Sequence, residues 1–192
     1  MRSIDELIRD VAGDEPEFDP AMASFLDVVR AEAHEINARH GLVECVELGG
    51  RQPWLWKLVF SSTGLVNIDH ELAQIDRHTV SVRFLPGYLR RVDRFQTLAL
   101  IEPLEAFHPN IRHPFLCVEV YPAQPLREIV ESLHSLFTWR LKNLREEDAL
   151  NPDACRWGRA HIDELPIDDR PLFGSRLTIR IDDVDHDRDK VA

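Results

Sequence analysis

From residue 20 onward, Met22, Phe25, Leu26, Val29, Ala33 and Ile36 recur three and four residues apart, which gathers them on one face of an α-helix. Asp19 supplies a side-chain acceptor for the free N–H groups of the first turn, Pro20 suits that turn, and Gly41 is a fitting stop. The period then shortens to two. Residues 42–48 predict a first strand with weak alternation, and Gly49-Gly50-Arg51-Gln52-Pro53 the turn after it. In 54–60, Trp54, Trp56, Leu58 and Phe60 share one face and Lys57 points to the other. In 78–85, Val80, Val82 and Phe84 alternate with Thr79, Ser81 and Arg83, and Pro86-Gly87 breaks the run. Residues 95–101 make a fourth strand, and the polar stretch 61–77 reads as a long connection.

Residues 102–124 carry no long periodic element and are expected near the surface, where water satisfies loop backbone. Pro125 opens a second helix with Leu126, Ile129, Val130, Leu133 and Phe137 as its buried stripe. Residues 140–148 are polar and 156–170 look irregular. A short strand is expected at 176–181, with Leu177, Ile179 and Ile181 on one face, followed by a charged tail. Residues 1–18 are an acidic N-terminal extension with a short helical pattern at Ile4, Leu7, Ile8 and Val11. Sequential strands without helices between them imply an antiparallel meander. The predicted fold class is α+β: N-terminal helix, four-stranded antiparallel meander, irregular loop, second helix.

The formal net charge of −11 disfavours nucleic acid, whose phosphates need a basic face. The N-terminus is too charged for a signal peptide, and no apolar run approaches a membrane span. Cys45, Cys117 and Cys155 are odd in number and irregularly spaced, against a disulfide framework or a zinc cage, so a reducing, cytoplasmic setting is expected. The tail aspartates lack the glycine and closing glutamate of a calcium loop.

The chemistry concentrates at His108-Pro109-Asn110-Ile111, followed by Cys117. This run resembles the active-site signature of ubiquitin-conjugating enzymes, in which a His-Pro-Asn turn precedes the thiol that carries ubiquitin. The resemblance extends through the proline-started helix at 125 to Glu147-Asp148-Ala149-Leu150-Asn151-Pro152-Asp153-Ala154, which looks like the family's acidic loop. It is looser over the first helix and sheet, where Phe84-Leu85-Pro86-Gly87-Tyr88 is similar to the family's sheet-ending segment. The departures are a slightly short spacing to Cys117, Ala123-Gln124 near the family's usual tryptophan, and acidic Asp27, Glu32 and Glu35 on the first helix. They imply a divergent member with its own activating enzyme, closest to the conjugating enzymes of bacterial ubiquitin-like operons, some of which act in antiphage defence.

The resemblance implies a ubiquitin-conjugating-like fold with residues 19–155 as catalytic domain and 156–192 as a divergent C-terminal segment. Cys117 is then the nucleophile that accepts a ubiquitin-like protein as a thioester and passes it to an amine. Asn110 stabilises the oxyanion or holds the loop that shapes the site, and a simple turn-capping role stays open. Asp148 orients the incoming amine, unless the acidic loop is merely solvated. His108 and Pro109 are structural, as are Cys45 and Cys155. His113, four residues before Cys117, is an unneeded base. No metal or organic cofactor is required. The implied partners are an activating enzyme, a ubiquitin-like protein and a protein target. The rival readings are a non-catalytic binding module of the same fold and an unrelated thiol protease.

Overall fold

The structure, a computed structural model, describes residues 2–39 and 41–172. The expected strand at 176–181 and the charged tail lie outside them. Helix α1 (Ile4–Ala12) is started by a reciprocal cap between Ser3 and Glu6. Helix α2 (Pro20–Arg39) begins where Asp19 Oδ1 accepts the Met22 N–H at 2.8 Å, and it buries Met22, Leu26, Val29, Ala33 and Ile36. Strands β1 (Val43–Glu47) and β2 (Leu55–Phe60) follow, then a hairpin of β3 (Gly64–Ile68) and β4 (Glu71–Ile75), then β5 (His78–Arg83). A short helix α3 (Arg94–Thr97), capped by Asp93, leads into β6 (Leu98–Glu102).

The main sheet has the order β1-β2-β5-β6, and each neighbouring pair is antiparallel. The expected meander is therefore present, and the fold is α+β. Trp56, Leu58 and Phe60 of β2 and Val80 and Val82 of β5 are buried, in one core with α2 and α4 (Leu126–Phe137). All five residues of the expected stripe on α4 are buried.

The N-terminal extension docks on the other face of the sheet. Lys57 of β2 pairs with Asp5, Arg9 Nε donates to the Leu48 carbonyl at 3.3 Å, and Ile8 is buried. This contact covers Leu55, which alternates with the core-facing residues of β2 and is buried in the same cluster as Ile8. Further along, the Glu15 carboxylate accepts the N–H groups of Arg51 and Gln52. At the sheet edge, the Asn37 carboxamide bonds both the N–H and the C=O of Cys45 at 2.8 Å, occupying strand positions that would otherwise be open.

Three expectations are corrected. Residues 61–77 are not a featureless connection, because β3 and β4 pair across a turn at Asp69-His70. Both turn residues have positive φ, a conformation usually marked by Gly or Asn, so the usual hairpin signal is missing. Residues 156–170 are not wholly irregular: α5 (Pro152–Ala160) runs through position 155, capped by Asn151. The loop 102–124 is not wholly superficial, since residues 107–111 are buried. Their backbone finds protein partners instead of water. Phe107 N–H donates to the Leu65 carbonyl at 2.8 Å, and Ala106 bridges Val66 of β3.

The inserted hairpin thereby builds a second core from Leu65, Phe107, Trp139, Ala154 and Leu165, flanked by Leu72 and Trp157. It lies under the His-Pro-Asn turn, with His108 edge-on to Trp139 at 4.6 Å between ring centres. Among the described residues no helix is long and apolar enough to cross a membrane.

Candidate active site

A small hairpin, β7 (Ile111–Arg112) with β8 (Phe115–Leu116), carries the chain from Asn110 to Cys117. Its pairing brings those two residues face to face. Cys117 N–H donates to the Asn110 carbonyl at 2.8 Å, and Asn110 Nδ2 donates to the Cys117 carbonyl at 3.3 Å. The other end of the same carboxamide, Oδ1, accepts the Asn143 N–H at 2.7 Å. Asn110 thus ties the thiol-bearing strand to the chain leaving α4.

His108 closes the turn from within. Its Nδ1 accepts the Asn110 N–H at 3.0 Å, which leaves the proton of the neutral ring on Nε2. Burial, then the neighbouring His78 and Lys142, push its pKa down to about 3. The ring is thus held neutral, with Nδ1 engaged on the turn's own backbone. Pro109 is buried as well, and its carbonyl accepts the Asn151 N–H at 3.1 Å.

The segment from Asn143 to Asn151 is consequently fastened to the His-Pro-Asn turn at both ends. Between those anchors, residues 146–148 form one 3-10 turn. Glu146 is tied to Arg156 and Arg159 of α5, and these guanidinium groups hold its carboxyl below the usual range. Glu147 and Asp148 are exposed. Asp148 belongs to the loop that Asn143 and Asn151 anchor on the His-Pro-Asn turn.

Cys117 is half-buried and free, whereas Cys45 and Cys155 are buried. Burial, then nearby Glu44, push the Cys45 thiol up to about 12. Cys117 is the one cysteine of the chain that is not buried. His113 is exposed in the turn of the β7–β8 hairpin and lines a groove beside α1. Among the described residues no three His, Cys, Asp or Glu side chains come together as metal ligands.

Sequence reasoning missed Asn143, Trp139 and Lys142, and it assigned Asn151 to the acidic loop without a role of its own. Asn151-Pro152 is nonetheless a legible helix start. Asn143 contributes a backbone N–H to the site, which any residue except proline offers, so no sequence signal exists for it. Trp139, at φ 57°, and Lys142, whose Nζ donates to the Trp139 carbonyl at 3.0 Å, shape the turn after α4. Compared with protein-family models and with curated proteins, the chain matches none.

Proposed function

We propose that this chain is a ubiquitin-conjugating-like acyl transferase with Cys117 as its nucleophile. The observation that carries the reading is the two-sided hold of Asn110 on Cys117, on the chain's accessible thiol. The Cys117 thiolate attacks the thioester of a ubiquitin-like protein on an activating enzyme, and the enzyme's sulfur leaves. An amine of the target then attacks the Cys117 thioester, and the Cys117 sulfur leaves as the new amide forms. Negative charge develops on the carbonyl oxygen in between. Asn110 Nδ2 has a second hydrogen to offer that oxygen, but the carboxamide's existing bonds favour a loop-holding role. Asp148 orients the amine and helps it lose its proton.

The order of elements, with a first helix, a four-stranded meander, an active loop and a second helix, supports a ubiquitin-conjugating-like fold. The proposal includes a cytoplasmic location, an activating enzyme, a ubiquitin-like protein and a protein target as partners, and a role in bacterial antiphage defence. The test is a non-reducing gel with the cognate activating enzyme, the ubiquitin-like protein and ATP. A thiol-sensitive adduct that Cys117→Ala abolishes is the expected result. Wild type without any adduct leaves the non-catalytic binding module, and peptide cleavage without ATP leaves the protease.

A further inference from the structure

The inserted β3–β4 hairpin presents an open strand edge. On its inner side, β3 spends its outward-facing backbone on the segment that leads to the candidate site. Asn67 N–H donates to the Glu105 carbonyl at 3.0 Å, and the Leu65 carbonyl accepts the Phe107 N–H at 2.8 Å. Along an antiparallel pair the backbone groups alternate in direction, and residues opposite each other point the same way, both toward or both away from the shared ladder. Gln74 stands opposite Leu65 and Leu72 opposite Asn67. The N–H and C=O groups of Leu72 and Gln74 therefore face away from β3, and they have no hydrogen-bond partner among the described residues.

Both edges of the main sheet are engaged instead. Asn37 occupies Cys45 on β1, and on β6 the Leu100 N–H donates to the Pro114 carbonyl at 2.9 Å. Exposed edges are usually blunted by proline, lysine or a bulge. Strand β4 has neither residue, and its register with β3 is unbroken from Glu71 to Ile75. Charge flanks it on both sides. Asp69 and His70 precede the strand and Asp76 and Arg77 follow it, all exposed and without an ion-pair partner among the described residues.

We infer that β4 pairs with β4 of a second copy, antiparallel about a two-fold axis at Ala73. A two-fold contact needs a patch complementary to itself, and strand addition to an open edge draws its affinity from main-chain hydrogen bonds. With the axis at Ala73, Leu72 of each copy stands opposite Gln74 of the other, so every outward N–H and C=O within the strand finds a partner. An axis at Leu72 or at Gln74 would match strand residues with the turn or with the chain beyond Ile75. The Ala73 register also complements the flanking charges: Asp69 comes against Arg77 of the other copy, and His70 against Asp76. Glu71 faces Ile75, so no carboxylate stands opposite another. The two hairpins then form one antiparallel sheet. The inference is independent of the chemistry at Cys117.

Sedimentation equilibrium of the full chain over a wide concentration range is expected to show a reversible dimer. Ala73→Arg sets two guanidiniums against each other at the axis and should raise the dissociation constant about tenfold or more. Ala73 is exposed, so this variant should keep the circular dichroism spectrum of the wild type. Crosslinking reads the register, in a Cys117→Ser background that removes the half-buried thiol. Ala73 would face its own copy in a non-hydrogen-bonded pair, with Cα atoms about 4.5 Å apart, within reach of a disulfide. Ala73→Cys should therefore give a linked dimer on mild oxidation about tenfold faster than Leu72→Cys or Gln74→Cys. A wild type that is monomeric at every concentration, a dimer that Ala73→Arg leaves untouched, or linkage fastest at 72 or 74 overturns the proposal.

Discussion

The carboxamide oxygen of Asn110 accepts the backbone N–H of Asn143 at 2.7 Å, so a residue before the thiol clamps the chain that follows α4. The amide end of the same group holds the Cys117 carbonyl. Asn110→Ala removes both bonds at once, at a cost of roughly 1–3 kcal/mol for two partly buried hydrogen bonds, read as a lower melting temperature. Asn110→Asp keeps an acceptor for Asn143 but turns a carboxylate oxygen toward the Cys117 carbonyl, and should also destabilise. If the clamp shapes the transfer site, single-turnover discharge to lysine falls by on the order of a hundredfold in either variant. Loading of Cys117 should fall much less, because its thiol is intact. Equal losses in both steps would assign Asn110 to general folding alone.

Thiol access separates Cys117 from the other two cysteines without any partner protein. Cys45 lies in β1 under α2, and Cys155 is fully buried in α5. A disulfide reagent that reports released thiolate should therefore give one fast equivalent in the folded protein and three after denaturation. Cys117→Ser should abolish the fast phase, and Cys45→Ser should leave it in place. A fast phase that survives Cys117→Ser would remove the basis for choosing this residue.

The main elements were legible because their side chains obey one period at a time. The stripe of α2 and the alternation of β5 each needed only local pattern, and the meander followed from the absence of intervening helices. What stayed hidden depends on contacts between distant segments. The β3–β4 hairpin turns at Asp69-His70, with positive φ but no glycine, and is held by pairing to Glu105 and Phe107 about forty residues away. The burial of the His-Pro-Asn turn follows from that pairing and from Trp139, so a loop that looked superficial became part of a second core. For the site, His108, Pro109, Asn110, Cys117 and Asp148 could be named from sequence. The anchors at Asn143 and Asn151 could not, since they act through backbone N–H groups.

Two buried histidines should make the fold sensitive to acid. His78 stacks on Phe137 with ring centres 4.2 Å apart, and a Cβ at Gly64 would meet its Nε2 at 2.5 Å, so the ring has no room to reach water. Burial pushes its pKa from 6.5 to about 3, and that of His108 falls to a similar value. The unfolded chain therefore binds more protons below pH 6.5, and stability must decline as pH falls from there toward about 3. The slope approaches about 1.4 kcal/mol per pH unit for each histidine. Buried His134 shifts the same way. Asp168, held down to about 2 chiefly by Arg170, loses its contribution only below its ordinary value of 3.8, so the upper part of the window belongs to the histidines. Thermal midpoints measured across this range should drop steadily, and His78→Phe should flatten the curve. A stability independent of pH between about 6 and 4 would contradict the buried, neutral state of both rings.

Asp148 differs from nearby Glu146 in having no ion-pair partner among the described residues. Glu146 is committed to Arg156 and Arg159, so Glu146→Gln should loosen the attachment of residues 146–148 to α5 and act mainly on stability of that loop. Asp148→Asn leaves those ion pairs in place and removes only a solvent-facing carboxylate. If that carboxylate orients the attacking amine and takes its proton, discharge of the Cys117 thioester to lysine slows about tenfold or more near neutral pH, with loading unchanged. The deficit should shrink as pH rises toward the free amine's own pKa near 10.4, where lysine is deprotonated without help. A merely solvated loop gives no such convergence: variant and wild type would then discharge at the same rate at every pH, and the role assigned to Asp148 would be withdrawn while that of Cys117 stood.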